Sequence, residues 1–266
     1  MIPALVDSHC HLDAPAFDND REDVLARARR AGVGAIILPA VTAAGWPRLR
    51  ALAASHAGLY PAYGLHPMFV SAHRPAHLDA LGEWLAAERP VAVGECGLDY
   101  YVPGLDADAQ MRYFDAQLAL ARERNLPVIV HARKALDRVI QRIRRQPGLR
   151  GVVHSFSGSL QQAMQLHDAG FCVGLGGPLT YPRAQRLRRI AAALPLEAIL
   201  LETDAPDQPG HAHRGERNEP AFIREVLADL AALRDTDSGT IAAATTANTC
   251  RLFGLPAARE TAASES

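Results

Sequence analysis

The chain has 266 residues, room for one large α/β domain or two small ones, and its 48% hydrophobic and 21% charged residues fit a globule with a sizeable core. A net charge of -1 offers no overall basic field, so a polyanion would have to be met by a local patch. Cys10, Cys96, Cys172 and Cys250 form no CxxC pair, the N-terminus lacks a basic n-region, and no run approaches a membrane span; these argue against a disulfide framework, a secretory leader and a membrane anchor, and predict a cytoplasmic protein.

The first apolar run, "PALVDSH" (3–9), leads directly into "VDSHCHLD". Side chains at i and i+2 of a strand share a face, so His9 and His11 project together, as a metal ion needs and an apolar core does not. "DNDREDVLARARRAG" then starts with acids and stops at Gly32, as a helix does. Further apolar runs follow at 35–41, 59–67, 91–99, 126–133, 151–158, 171–177 and 198–206, making eight. Between them, "DADAQMRYFDAQLALARERN" has an acidic start and a basic end, complementing a helix dipole, and "SGSLQQAMQLHDAG" has a Ser cap at 157 or 159. Strands apolar on both faces alternating with helices indicate a parallel sheet covered by helices. Eight near-regular units favour a closed (β/α)8 TIM barrel over a doubly wound open sheet. The expected domain spans 1–254, with "SGTIAAATTANTCRLFG" packed outside and residues 255–266 forming a disordered tail.

Barrels of this kind build their sites where strands finish. Here the ends read His9-x-His11, His66, Glu95, His131, His154, Gly174-x-Gly176-Gly177 and Glu202-Thr203-Asp204. One buried histidine is usually a satisfied core residue, but burying this many imidazoles and carboxylates without partners is costly, so convergence on a metal is the simpler reading. The set exceeds the four-coordinate demand of one Zn²⁺ and suits two divalent ions sharing a carboxylate. Imidazole and carboxylate donors can hold Zn²⁺, Mn²⁺ or another transition ion, while Mg²⁺ prefers oxygen.

Together "DSHCHLD", "GECGLDY", "VIVHAR", "HSFSG" and "LLETDAPD" resemble, from about residue 5 to 254, the TatD family of metal-dependent hydrolases and deoxyribonucleases, barrels of the amidohydrolase superfamily. "GVGAIILPAV", "GLGGPLTYPRA" and "TDAPD" look like its YjjV-like branch, with the acid Asp207 where the family more often has an aromatic. The resemblance implies that His9, His11 and Asp204 bind one ion, that His131 and His154 bind the other, and that Glu95 bridges them. It implies a metal-activated water, with Asp204 as general base and Glu95 as the second catalytic carboxylate, attacking a phosphodiester. Arg133 is a candidate phosphate contact through its bidentate fork, with a surface role equally open. His66 is expected as a substrate contact in preference to core packing, Ser155 and Ser157 as phosphate donors unless "SFSG" simply starts a helix, and Asp99 as the group that orients a ligand, with a helix cap as the alternative. "RNEP" matches a family motif: Arg217 is carried as a substrate contact and Asn218 as a helix cap with Pro220 in the first turn. His211, His213 and Arg214 sit in a long polar loop and could reach substrate. His56, His73, His77 and His167 are read as surface residues. Gly176 and Gly177 lack a dinucleotide-binding pattern but could let backbone approach substrate.

The leading expectation is therefore a divalent-metal-dependent phosphodiesterase with two ions (Mg²⁺, Mn²⁺ or Zn²⁺), acting as a DNase on single-stranded or 3′ ends, with no membrane or protein partner. The alternatives are hydrolysis of a small ester, lactone or amide at the same centre, and a non-catalytic metal-binding protein. A missing ligand would mark the last, yet all six positions are filled.

Overall fold

A computed structural model describes residues 5–256, so residues 257–266 of the expected tail lie outside it. Eight strands run in parallel in sequence order: β1 (Leu5–Asp7), β2 (Val33–Pro39), β3 (Leu59–Tyr63), β4 (Ala92–Asp99), β5 (Val128–Arg133), β6 (Gly151–Val153), β7 (Phe171–Leu175) and β8 (Ile199–Leu201). Helices α1 (Arg21–Arg30), α2 (Trp46–Ser55), α3 (Ala76–Glu88), α4 (Ala107–Glu123), α5 (Leu136–Ile143), α6 (Leu160–Asp168), α7 (Gln185–Ala193) and α8 (Ile223–Leu233) follow them in turn. The ring is closed between β8 and β1. Ser8 N–H donates to Leu201 O (3.0 Å), Asp204 N–H to His9 O (2.9 Å) and His11 N–H to Ala205 O (2.8 Å). The seam is also cross-linked by side chains: the Asp7 carboxyl accepts the Thr203 N–H at 3.0 Å and its hydroxyl at 2.6 Å. The TIM barrel expected from the run count is the fold observed.

Local chemistry sets the helix ends. Asp106 accepts the Ala109 N–H at the start of α4, and Ser159 and Gln162 form a reciprocal capping box on α6. Of the two serines offered as that cap, Ser159 is the one used. Alternate strand residues face two cores. Leu38, Tyr63, Val130, Val153 and Leu201 pack outward against the helices, whereas Ile37, Ala62, Ile129, Val152 and Leu200 meet inside the barrel. The last helix, α9 (Ser238–Phe253), brings Leu252 and Phe253 onto that inner cluster, and Asn248 holds the carbonyls of Leu196 and Ile199 at the entry of β8. The end of the barrel where strands begin is thus sealed with apolar side chains, and the polar groups gather at the other end. No described helix is long and apolar enough to cross a membrane.

The strands end earlier than the apolar runs. β1 leaves the ladder at Asp7, β6 at Val153 and β8 at Leu201. Ser155 (φ 46°) and Asp204 (φ 58°) then take left-handed backbone that no strand accommodates. His9, His154 and Asp204 are consequently carried on short turns just past the strand ends and aimed across the mouth.

Candidate metal centre

Glu95, 1% exposed near the middle of β4, is the hub of the mouth. Its two oxygens address different partners. Oε2 lies 3.1 Å from His9 Nε2 and 3.3 Å from His11 Nε2. Oε1 lies 2.7 Å from His154 Nε2, 3.1 Å from His131 Nδ1 and 2.9 Å from His66 Nε2. Asp204 Oδ1 joins the first group, 3.5 Å from His9 Nε2 and 3.8 Å from His11 Nε2. All six residues expected to ligate metal are therefore brought together from five strands.

The donor chemistry fits divalent cations. His9 Nε2 and His11 Nε2 face each other at 3.2 Å, as do His131 Nδ1 and His154 Nε2. Two imidazole nitrogens at that distance can share only one proton, and otherwise oppose lone pairs that a cation between them would accept. Glu95 Oε2 is buried without a hydrogen-bond partner, which a bound ion would supply. Outer contacts set the tautomers. His131 Nε2 is 2.9 Å from Asp99 Oδ2, and His11 Nδ1 is 3.1 Å from Pro39 O, so each ring donates outward and turns a lone pair inward. Asp99 is itself held by the N–H groups of Tyr101 and Val102.

His66 differs. Its Nδ1 accepts the Met68 N–H at 3.1 Å, so the neutral ring carries its proton on Nε2 and donates to Glu95. It is buried, holds the carboxylate and also lines the cavity where the substrate contact is expected.

Charge follows this geometry. Burial alone would raise the Glu95 carboxyl, but His66, His154 and His9 outweigh it and hold the group well below the usual carboxylate range. Burial opposes protonation of His154 and His11 as well, yet Glu95 pushes them up to about 10 and about 9. Burial and the neighbouring His154 push His9 down to about 4. Without metal the Glu95 charge is thus balanced by the imidazolium charges of His154 and His11, which metal ions would replace.

Several expectations need correction. Arg217 does not face the cavity: its guanidinium pairs with Asp20 at 2.6 and 2.8 Å and lies over the Phe17 ring. Asn218 is not the cap of α8. It is buried, its amide donates to Thr203 O and Asp207 O at 2.7 and 2.8 Å, and its Oδ1 accepts the Glu219 N–H. Its role is to staple the loop that carries Asp204. His213 stacks on Phe222 and lies 2.9 Å from Glu216 and 2.8 Å from Glu225, so this loop folds against α8; His211, His213 and Arg214 do not line the cavity. His73 is buried, with Nε2 at 2.9 Å from His66 O, and is no surface residue. Gly177 makes room for the Pro209–Gly210 backbone, with a Cβ there falling 2.8 Å from Gly210 N; it serves loop packing.

Arg133 does line the mouth, its guanidinium 3.8 Å over the Tyr101 ring. Ser155 also lines it, but its hydroxyl is committed to Gln208 Oε1 at 2.8 Å, and the Gln208 amide holds Asp204 Oδ2. Gln208 was not anticipated, nor was any role for Glu202. That side chain is fully buried, accepts the Ser155 N–H and stands 3.9 Å from His154 Nδ1; burial pushes it up to about 8. The signal was present: Glu202 stands two residues before Asp204. Above the centre opens a cavity of about 1380 Å³, with Arg48, Arg183, Arg186 and Arg189 on its wall.

Residues 6–254 match the model of the family described as TatD related DNase. The chain is 44% identical to the uncharacterized metal-dependent hydrolase YjjV of Escherichia coli K12, over 96% of this chain and 100% of that protein. It is 34% identical to the 3'-5' ssDNA/RNA exonuclease TatD of Klebsiella pneumoniae strain 342, over 94% and 98% of the two chains. The crystal structure of Escherichia coli YjjV, a TatD homolog, superposes with a TM-score of 0.92 and 43% identity, covering 96% of this chain and 100% of that one. The motifs at the strand ends, the barrel and the full-length similarity agree: the chain belongs to the TatD family of metal-dependent hydrolases.

Proposed function

We propose that this chain is a phosphodiesterase that uses two divalent ions to remove nucleotides from 3′ ends of single-stranded DNA. The observation that carries the two-ion reading is the division of Glu95, whose Oε2 serves His9 and His11 while Oε1 serves His131 and His154. His9, His11 and Asp204 would hold one ion, His131 and His154 the other, with Glu95 between them. Bound there, Zn²⁺, Mn²⁺ or Mg²⁺ would supply the Lewis acidity that brings the pKa of water to about 7 and neutralises charge developing on a phosphoryl oxygen.

The residues divide the remaining work. Asp204 takes the proton of the attacking water at Oδ2, the oxygen that the Gln208 amide fixes in place. Asp99 keeps the His131 ring in register, and His66 keeps the Glu95 carboxylate there. Arg133, at the mouth and free of any carboxylate within ion-pair distance among the described residues, meets a non-bridging phosphate oxygen. Ser155 acts through Gln208 on Asp204. Support for a nucleic-acid substrate comes from the name of the Klebsiella relative and the family's description as DNases.

The test is digestion of end-labelled single-stranded DNA by the metal-loaded native chain beside Glu95→Ala and Asp204→Asn. Stepwise loss of nucleotides from the 3′ end by the native chain only is expected, with Asp204→Asn retaining metal. No cleavage by a folded, metal-loaded native chain would end the nuclease reading and turn the search to small esters, lactones and amides.

A further inference from the structure

The two rims of the cavity have opposite chemistry. On one side the turn after β7 and helix α7 present Arg183, Arg186 and Arg189, three exposed arginines spaced by three residues that border the cavity. Among the described residues none of them has a carboxylate within ion-pair distance, although the protein pairs many of its arginines: Arg21 with Asp18, Arg27 with Glu219, Arg142 with Asp115 and Arg217 with Asp20. Arg188, on the other side of the same helix, meets Asp229 at 2.6 Å. The segregation within one helix is the informative point: the arginine that faces α8 is neutralised, whereas the cavity-facing ones meet no carboxylate, Arg186 being steadied only by the neutral Ser157 carbonyl at 2.6 Å and Arg183 lying over the Tyr181 ring. On a chain of net charge -1 they form the local patch that overall composition does not provide.

The opposite rim comes from the loops after β3 and β4, and in an eight-strand ring β3 lies across the mouth from β7. Of the five large hydrophobic side chains exposed among the described residues, four, Met68 (40%), Phe69 (42%), Tyr100 (37%) and Tyr101 (53%), belong to these two loops, and the fifth is Leu160 on α6. Phe69 lines the cavity with its ring 5.9 Å from that of His66, so the shelf adjoins the Glu95 cluster. Tyr100 and Tyr101 do not themselves line the cavity; Tyr101 adjoins it from beneath the Arg133 guanidinium, which covers one face of its ring. Exposed apolar groups gathered at one place mark a binding surface, and aromatic faces beside a basic track are what unpaired bases on a phosphate backbone need.

We propose that a single strand of nucleic acid threads across this mouth, with phosphates upstream of the scissile bond on Arg183, Arg186 and Arg189 and the base of the departing 3′ nucleotide stacked on Phe69. This rests on the phosphodiesterase reading of the metal centre and adds to it a direction of threading and two subsites. Stacking requires a base with a free face, so the subsites select single strands over duplex.

The experiment measures anisotropy of a fluorescent phosphorothioate oligothymidylate, which resists hydrolysis, on the metal-loaded protein over a range of salt. Proteins compared are the native chain, the combined Arg183→Ala, Arg186→Ala and Arg189→Ala variant, Phe69→Ala, and a control with Arg29→Ala, Arg30→Ala and Arg144→Ala. The control removes the same charge from exposed positions that do not line the cavity. Each phosphate contact contributes about 0.7 to the slope of log affinity against log salt for a single strand, so losing three should flatten it by about 2. Phe69→Ala should weaken binding about tenfold with the slope unchanged. Equal affinity and slope in the α7 variant and the control would overturn the track, and a duplex bound as tightly as the single strand would overturn the stacking shelf. These failures are separable from failure of the nuclease reading. A native chain that binds through α7 but never cleaves loses the nuclease reading alone, and one that cleaves while the α7 variant binds like the control loses the track alone.

Discussion

Gly174, on β7, has ordinary backbone that alanine can adopt, yet a Cβ there would lie 2.6 Å from Glu202 Cδ and 3.0 Å from Oε1. The Glu202 carboxyl cannot simply swing away: it is fully buried and its Oε1 holds the Ser155 N–H. Gly174→Ala therefore forces overpacking, which costs about 1–3 kcal/mol. Burial pushes the Glu202 carboxyl up to about 8, so it is neutral at pH 7 and the Ser155 hydrogen bond adds about 1 kcal/mol when broken. The expected loss is about 2–4 kcal/mol in urea unfolding of the metal-free protein. If the clash is the cause, removing the carboxyl should remove the penalty. Gly174→Ala in a Glu202→Ala background should then cost little, so the coupling between the positions should be about 2–4 kcal/mol, nearly the whole single-variant loss. Additive effects, or a single-variant loss below about 0.5 kcal/mol, would refute the reasoning.

Metal uptake should depend steeply on pH. His11 and His154, with pKa values pushed up to about 9 and about 10, carry protons at pH 7 in the metal-free chain and must release them to offer lone pairs. Lower pH strengthens the competing proton, so affinity should rise about a hundredfold from pH 7 to pH 8 if both are released. Titration calorimetry in buffers of different protonation enthalpy counts those protons, and a pH-independent affinity would contradict the assignment. Asn218→Ala separates a staple from a cap: loss of a cap costs about 1 kcal/mol, whereas unpairing Thr203 O, Asp207 O and the Glu219 N–H should cost about 2–4 kcal/mol. A urea midpoint matching the smaller figure would restore the cap.

The barrel and the convergence of ligands were legible because both rest on periodicity: apolar runs spaced by helices give the strands, and strand ends give the mouth. His9 and His11 could be paired from their spacing, and Asp99 placed from the need of a ligating imidazole for an outer acceptor. What escaped depended on contacts between distant segments. Arg217 is held by Asp20, 197 residues earlier in the chain, a pairing that no local pattern encodes. The tautomer of His66 turns on the Met68 N–H, a turn geometry that residue identity does not encode. Glu202 and Gly174 form a pair only because β7 and β8 are neighbours. The aromatic shelf was invisible as a stripe because two separate loops assemble it.

The seam of the barrel has a further consequence for the life of the polypeptide. Its ties, such as Asp7 to Thr203 across 196 residues, are the longest-range closures in the ring and carry its largest entropic cost. His9 and His11 come from the first part of the chain and Asp204 from beyond the last strand, so one half of the centre has no existence until those ends meet. An emerging chain that has made the first seven strands holds Glu95, His9, His11, His131 and His154 but lacks Asp204. The full set of donors is in this way assembled only by the contact that completes the ring.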